Sequence, residues 1–104
     1  MMREKRRYLL VESVSGINEN FRKEFELSFL NQLLHNLGEI EYFKANPKII
    51  KYVNSRQFIL KCSLAKYRET INAITFIKRL NDREAGFYTL NASGTMRALG
   101  KSKD

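Results

Sequence analysis

KIIKYVNSRQFILKC, residues 48–62, is the stretch that decides the fold of this chain. Two segments rich in β-branched and apolar residues, 48–53 and 56–62, flank the pair Asn54-Ser55. This pattern predicts two antiparallel strands joined by a tight turn. The elements on either side of the hairpin determine which fold it belongs to.

A helix is predicted on each side of this hairpin. Residues 21–37 carry apolar side chains at helical spacing, and Gly38 follows as a helix stop. Residues 66–80 form the second helix, with Ser63 as the expected cap. The expected buried stripes are Phe29, Leu30, Leu33, Leu34 and Leu37 in the first helix, and Tyr67, Ile71, Ile74 and Ile77 in the second. Residues 39–48 are predicted to be a connection with room for one short strand or turn.

The outermost elements are two further strands, predicted over residues 8–14 and 84–91. The resulting order is strand, helix, strand, strand, helix, strand. It predicts an α+β, ferredoxin-like split βαβ domain spanning residues 1–104, with two helices on one face of a four-stranded antiparallel sheet. In that topology the first strand lies between the third and the fourth, and its start lies beside the end of the fourth.

Positive charge is concentrated at the two ends of the chain. The net charge is +8, of which residues 1–8 contribute +3 and residues 94–104 contribute +2. Because the predicted topology folds the basic ends 1–7 and 93–104 onto one edge, they should form a single patch. Such a patch suits a polyanionic partner, and RNA is the preferred candidate. The alternative is that both ends are solvated tails.

Eight residues of these ends are the candidate RNA-binding set. Arginine binds phosphate through a planar fork of donors. Small residues at a turn, here followed by a possible last helical turn over 93–99, let backbone N–H groups face an anion. An ordinary strand-to-helix turn would have the same spacing. The set consists of Lys5, Arg6, Arg7, Ser93, Gly94, Thr95, Arg97 and Lys101.

Three apolar residues are candidate contacts for a protein partner. If the helices cover the Leu9 side of the first strand, Tyr8 and Leu10 lie on an uncovered face. Aromatic residues there could stack on RNA bases, but the third strand lacks the aromatic-rich pattern of RNA-recognition domains. A protein partner or a second copy covering that face is therefore preferred. Phe76, on the polar side of the second predicted helix, is the third candidate.

No catalytic or metal site is evident in the sequence. The one histidine, His35, is predicted to be solvated, and the one cysteine, Cys62, is predicted to be a buried strand residue. Neither a zinc-ligand pattern nor a phosphate-binding glycine loop is present. The lone cysteine and the lack of a membrane-spanning apolar run favour a cytoplasmic protein without a membrane partner.

Three motifs resemble those of a known family. They are Lys5 to Leu10 (KRRYLL), Leu37 to Glu39 (LGE) and Ser93 to Arg97 (SGTMR). Together they are similar to archaeal ribonuclease P protein component 2, the small subunit that archaeal and eukaryotic ribonuclease P share. The resemblance covers nearly the whole chain, with methionine at position 96 where the family usually has isoleucine.

The resemblance implies a role without a catalytic site in the chain itself. Ribonuclease P is the endonuclease that removes the 5′ leader of precursor tRNA, and its catalysis belongs to the RNA with magnesium held by the RNA. The protein subunit would bind no cofactor, would contact ribonuclease P RNA and precursor tRNA, and would pair with protein component 3 and self-associate. The residues alone leave two alternatives open: a small-ligand-binding or oligomerising ferredoxin-like domain, and a subunit of another ribonucleoprotein.

Overall fold

The four predicted strands form one antiparallel sheet. The computed structural model describes residues 5–101. The strands of the sheet are β1 (Arg6–Ser13), β2 (Lys48–Tyr52), β3 (Gln57–Ser63) and β6 (Phe87–Ser93). Their spatial order is β2-β3-β1-β6, so the first strand lies between the third and the last strand of the sheet, as predicted. The α+β split βαβ arrangement is confirmed.

Alternation along β1 separates the two faces of the sheet. Leu9 and Val11 are fully buried on the face that α1 (Arg22–Leu37) and α3 (Tyr67–Thr75) cover. Aromatic rings fill the space between α1 and the sheet. The Phe29 ring centroid lies 5.2 Å from that of Phe58 and 5.0 Å from that of Phe87, both in edge-to-face contact. These contacts fix α1 across the sheet.

Helix α1 ends where the sequence predicts. Gly38 has a positive φ of 88°, which most side chains disfavour, and its N–H donates to the Leu34 carbonyl at 2.8 Å. The prediction for residues 39–48 was wrong, because Glu39–Ala45 forms a further helix, α2. It ends at Asn46, which is left-handed with φ 48°. Seven residues are too few to establish a helical period from sequence.

Helix α3 is shorter than predicted. It ends at Thr75 rather than Leu80, and β4 (Arg79–Leu80) pairs with β5 (Arg83–Glu84) in a small hairpin. Both residues of the turn between them have positive φ, 51° for Asn81 and 67° for Asp82, as a tight hairpin turn requires. The Asn81 side-chain amide donates to the Ser28 hydroxyl at 2.8 Å, which joins the hairpin to α1.

The hairpin also explains why β6 begins later than predicted. Arg83–Glu84 belong to β5, and the last strand of the sheet runs from Phe87 to Ser93 instead of over 84–91. Strand β6 contains a bulge opposite β1, because Leu10 pairs with Asn91 whereas Val11 pairs with Thr89. Leu90 is the extra residue and is half exposed.

The predicted Ser63 cap was wrong. A single 3-10 turn over Leu64–Lys66 separates Ser63 from α3, and the Ser63 side chain makes no capping bond. Its buried hydroxyl oxygen has no hydrogen-bond partner among the described residues. The Lys66 side chain instead forms an ion pair with Glu41 of α2 at 2.6 Å, so the turn is held against α2.

A last helix, α4 (Met96–Lys101), covers the other face of the sheet. Leu99 is 1% exposed and packs in one cluster with Leu10 of β1 and Ile59 of β3. The expectation that the Tyr8 and Leu10 face is open was therefore wrong: Leu10 is buried and Tyr8 is partly buried against the cluster. An apolar sheet face must be covered, and here the chain's own C-terminal residues cover it.

Candidate nucleic-acid interface

The start of β1 lies at one end of the sheet between two chain segments. Arg6 is opposite Ser63, the last residue of β3, and Tyr8 is opposite Ser93, the last residue of β6. The Lys5 carbonyl accepts a hydrogen bond from the Leu64 N–H at 2.9 Å, which fixes the basic run against the β3–α3 junction. The backbone convergence predicted from the topology is therefore present.

The Arg7 side chain spans the gap between these segments. A Cβ atom placed on Gly94 would lie 2.9 Å from Nη1 of Arg7, so the guanidinium occupies the space that glycine leaves free. The Cζ atom of Arg7 lies 5.7 Å from the centroid of the Tyr67 ring at the start of α3. Arg7 is thus held on the helix-covered side of the sheet, between the β6–α4 turn and α3.

Arg68 joins this group from the first turn of α3. Its Cζ atom lies 5.8 Å from the Tyr67 centroid, and its Nε donates to the Tyr67 hydroxyl oxygen at 3.4 Å. The Arg68 hydrogen bond and charge, with a smaller contribution from Arg7, hold the pKa of Tyr67 below its usual value, because positive charge favours the phenolate. The lowered pKa of Tyr67 is therefore a sign of positive potential at this corner of the sheet, which Arg7, Tyr67, Arg68 and Gly94 form.

Tyr67 and Arg68 were missed by the sequence analysis as functional residues. Tyr67 was assigned only to the buried stripe, and Arg68 was not singled out. The topology could have identified them, because β3 ends at the same end of the sheet at which β1 begins, and α3 follows β3 after one turn. The split βαβ topology therefore places the start of the second long helix beside both basic ends.

The turn between β6 and α4 uses some of its polar groups internally. The Thr95 N–H donates to the Ser93 hydroxyl oxygen at 3.3 Å. This bond engages the Thr95 N–H, one of the backbone donors that the sequence analysis expected to face an anion. Ser93 is partly buried, whereas Gly94 and Thr95 are exposed beside Arg7.

The structure does not gather every predicted basic residue at this corner. Arg97 is exposed and lines a shallow pocket with Lys51, over the sheet face that α4 covers. Arg6 is exposed at the start of β1, and Lys101 is the last residue of α4. The predicted patch thus extends around the end of the sheet onto both faces. Arg3 and Lys103, also assigned to it, lie outside the described residues.

The third partner candidate, Phe76, is strongly exposed. It forms the C-terminal cap of α3 and 69% of its surface is accessible. Its chain neighbours Thr75 and Ile77 line an open groove of about 590 Å³ along the edge strand β6, together with half-exposed Val14 and Tyr88. The role of Phe76 in partner binding stays a prediction.

A metal-binding cluster and a membrane-spanning helix are both absent from residues 5–101. No group of three or more histidine, cysteine, aspartate or glutamate side chains in that range is arranged to hold a metal ion. Nor does any helix in the range have the length and apolar character needed to cross a membrane. Cys62 is buried, as predicted, and burial raises its pKa to about 11.

Comparisons with known proteins agree with the family that the motifs suggested. Ribonuclease P protein component 2 of Pyrococcus furiosus is 29% identical over 99 residues, which cover 94% of this chain and 82% of that protein. A chain in the cryo-EM structure of yeast ribonuclease MRP has the same fold, with a TM-score of 0.66 at 9% identity over 99% of this chain and 94% of that chain. Residues 7–102 match the Rpp14/Pop5 family over nearly the whole length. The chain is a member of the Rpp14/Pop5 family.

Proposed function

We propose that this chain is a protein subunit of ribonuclease P, the ribonucleoprotein that removes the 5′ leader of precursor tRNA. Membership of the Rpp14/Pop5 family and the similarity to a ribonuclease P protein component support the assignment. The observation that carries it is the corner at which Arg7 contacts both Gly94 and Tyr67, with Arg68 against the same ring. Positive side chains from separate parts of the sequence face one region of solvent there.

The proposed mechanism is electrostatic and structural. Exposed guanidinium groups neutralise backbone phosphates and release the cations that surround RNA, which stabilises a folded RNA. Arg6, Arg7 and Arg97 are the principal residues, with Lys5 and Lys101 beside them. Ser93, Gly94 and Thr95 supply the turn on which Arg7 rests. Catalysis is assigned to the RNA and its magnesium ions, and the protein binds no cofactor. The protein is proposed to act in the cytoplasm.

Reconstituted ribonuclease P tests this function. Arg6, Arg7 and Arg97 are changed to alanine singly and together, and cleavage of precursor tRNA is measured over a magnesium titration. Loss of three phosphate contacts should lower the slope of log K against log salt by roughly two to three. The triple variant should therefore need more magnesium to reach wild-type cleavage, because magnesium must then neutralise those phosphates.

A control for the general loss of positive surface charge comes from the opposite end of the sheet. Arg56 and Arg83 are exposed and lie away from the corner, in the β2–β3 turn and in the small hairpin. Their double alanine variant should retain wild-type cleavage at every magnesium concentration. If the triple variant also cleaves like wild type at low magnesium, the corner does not support the RNA.

The proposed protein partner is ribonuclease P protein component 3, in addition to self-association. Phe76 is the favoured contact, because a large apolar side chain exposed beside a groove suits burial by a partner. Phe76→Asp should abolish co-purification with component 3. The same change at Phe43, equally exposed on α2, should leave it intact. If co-purification survives Phe76→Asp, Phe76 is not the contact. Tyr8, which is partly buried, is tested by the same substitution and measurement.

A further inference from the structure

Two arginines converge at the corner, and the neighbouring Glu69 acts on Arg68 through its charge without forming an ion pair. Arg7 and Arg68 both lie within 6 Å of the centroid of the Tyr67 ring, at 5.7 and 5.8 Å. Neither guanidinium forms an ion pair with a carboxylate of residues 5–101. The nearby Glu41 is engaged by Lys66. Like charges held close together repel each other, and an anion between them removes that repulsion.

We propose that Arg7 and Arg68 bind one RNA backbone phosphate together, with the Tyr67 ring as the platform that positions both guanidinium groups. Guanidinium groups bind phosphate oxygens through short, charge-assisted hydrogen bonds, so two of them can share one phosphate only when both reach the same region of solvent. Both guanidinium carbons lie within 6 Å of the same ring centroid, and both groups stand at the ends of long, flexible side chains, so they can turn toward one phosphate. The inference rests on the proposed function and adds Arg68 and Tyr67 to its binding residues.

Gly94 helps to position Arg7 in the proposed phosphate site. Arg7 Nη1 would lie 2.9 Å from any Cβ atom at position 94, so a larger residue must displace the guanidinium. The displaced group is the end of a flexible side chain, so the fold itself can accommodate the change. Gly94→Ala therefore moves the Arg7 charge without removing it. This distinguishes a positioned phosphate contact from diffuse attraction, which depends on charge alone.

Binding of the full-length chain to ribonuclease P RNA provides the test, measured by fluorescence anisotropy over a salt titration. One phosphate contact contributes a slope of about 0.9 in log K against log salt, equivalent to roughly fivefold in affinity at 0.15 M salt. Arg68→Ala should lower affinity by about that factor. Gly94→Ala should cause part of the loss with an unchanged unfolding midpoint. Tyr67→Phe, which keeps the ring, should stay within about twofold of wild type.

The Arg7→Ala, Arg68→Ala double variant tests whether the phosphate is shared. Because both side chains hold the same group, the double variant should lose less than the product of the two single losses. Its salt slope should fall by about one. A loss equal to the product, with a slope lower by about two, would mean two independent phosphates and would overturn the shared site.

The control is Arg56→Ala, which removes one exposed arginine at the far end of the sheet. If Arg68→Ala binds RNA as well as Arg56→Ala does, while Arg6→Ala or Arg97→Ala weakens binding, the inference fails and the proposed function stands. If the wild-type chain shows no salt-dependent binding to RNA, the proposed function fails first.

A second binding titration, with precursor tRNA in place of ribonuclease P RNA, identifies which RNA supplies the phosphate. A defect of Arg68→Ala with only one of the two RNAs assigns the contact to that RNA. If Arg68→Ala binds both RNAs normally but loses co-purification with component 3, the corner recognises a protein, and the inference is overturned.

Discussion

Replacement of Leu99 by alanine should undock α4 from the sheet. The Leu99 side chain is almost fully buried against Leu10 and Ile59, which are themselves only 5% and 6% exposed. The change removes three carbons, each contributing about 0.8 kcal/mol when buried, so the free energy of unfolding should fall by about 2 kcal/mol. A six-residue helix has too few internal hydrogen bonds to persist without this anchor.

Urea unfolding and thermal unfolding followed by circular dichroism, together with native-state amide exchange, measure both consequences. The loss should lower the melting temperature by roughly 10 °C and remove exchange protection from residues of α4 first. Leu27→Ala is the matched control, since Leu27 is 68% exposed on α1 and its truncation should change stability by less than about 0.5 kcal/mol. Equal stability of the two variants, with α4 amides still protected, would refute the proposed docking of α4.

Three further predictions concern the core and two titratable groups. Phe29→Ala should cost about 3–5 kcal/mol in urea unfolding, because the ring is fully buried; a loss below about 1 kcal/mol would contradict the packing. Cys62, buried with a pKa raised to about 11, should react with iodoacetamide at pH 8 far more slowly than in urea-unfolded protein. Lys66 lowers the pKa of Glu41. Their ion pair should therefore stabilise the fold above the unfolded pKa of 4.5 and lose that effect as pH falls through the lower folded value. Acid titrations of wild type and Glu41→Gln should converge at low pH.

Hydrophobic alternation and spacing predicted the central architecture. The positions of β1, α1, β2 and β3 agree with the structure within one or two residues at most ends. These elements bury a whole face or stripe, and the period of the apolar residues therefore records their conformation. The end of α3 was misplaced because residues 79–80 pair as a strand of the small hairpin, although the apolar spacing of Ile71, Ile74 and Ile77 continues the helical pattern.

The candidate site was predicted in part. The basic residues at both ends, and the adjacency of the first and last strands, followed from sequence and topology alone. The contact of Arg7 with Gly94 and the contribution of Arg68 did not, because they depend on where side chains from three separate segments point. Arg97 lies over the other face, since α4 turns back across the sheet.

The sequence by itself determined the α+β class, the strand order and the excess of positive charge at the two ends of the chain. The class and the charge depend on residue type and on periods of two or 3.6 residues, which are local, and the strand order follows from the order of the elements in the split βαβ topology. Only the tertiary structure decided that α4 covers the second face of the sheet and that Tyr67 brings Arg7 and Arg68 together. Such contacts join residues distant in sequence, and the burial and directions of their side chains exist only in the folded chain.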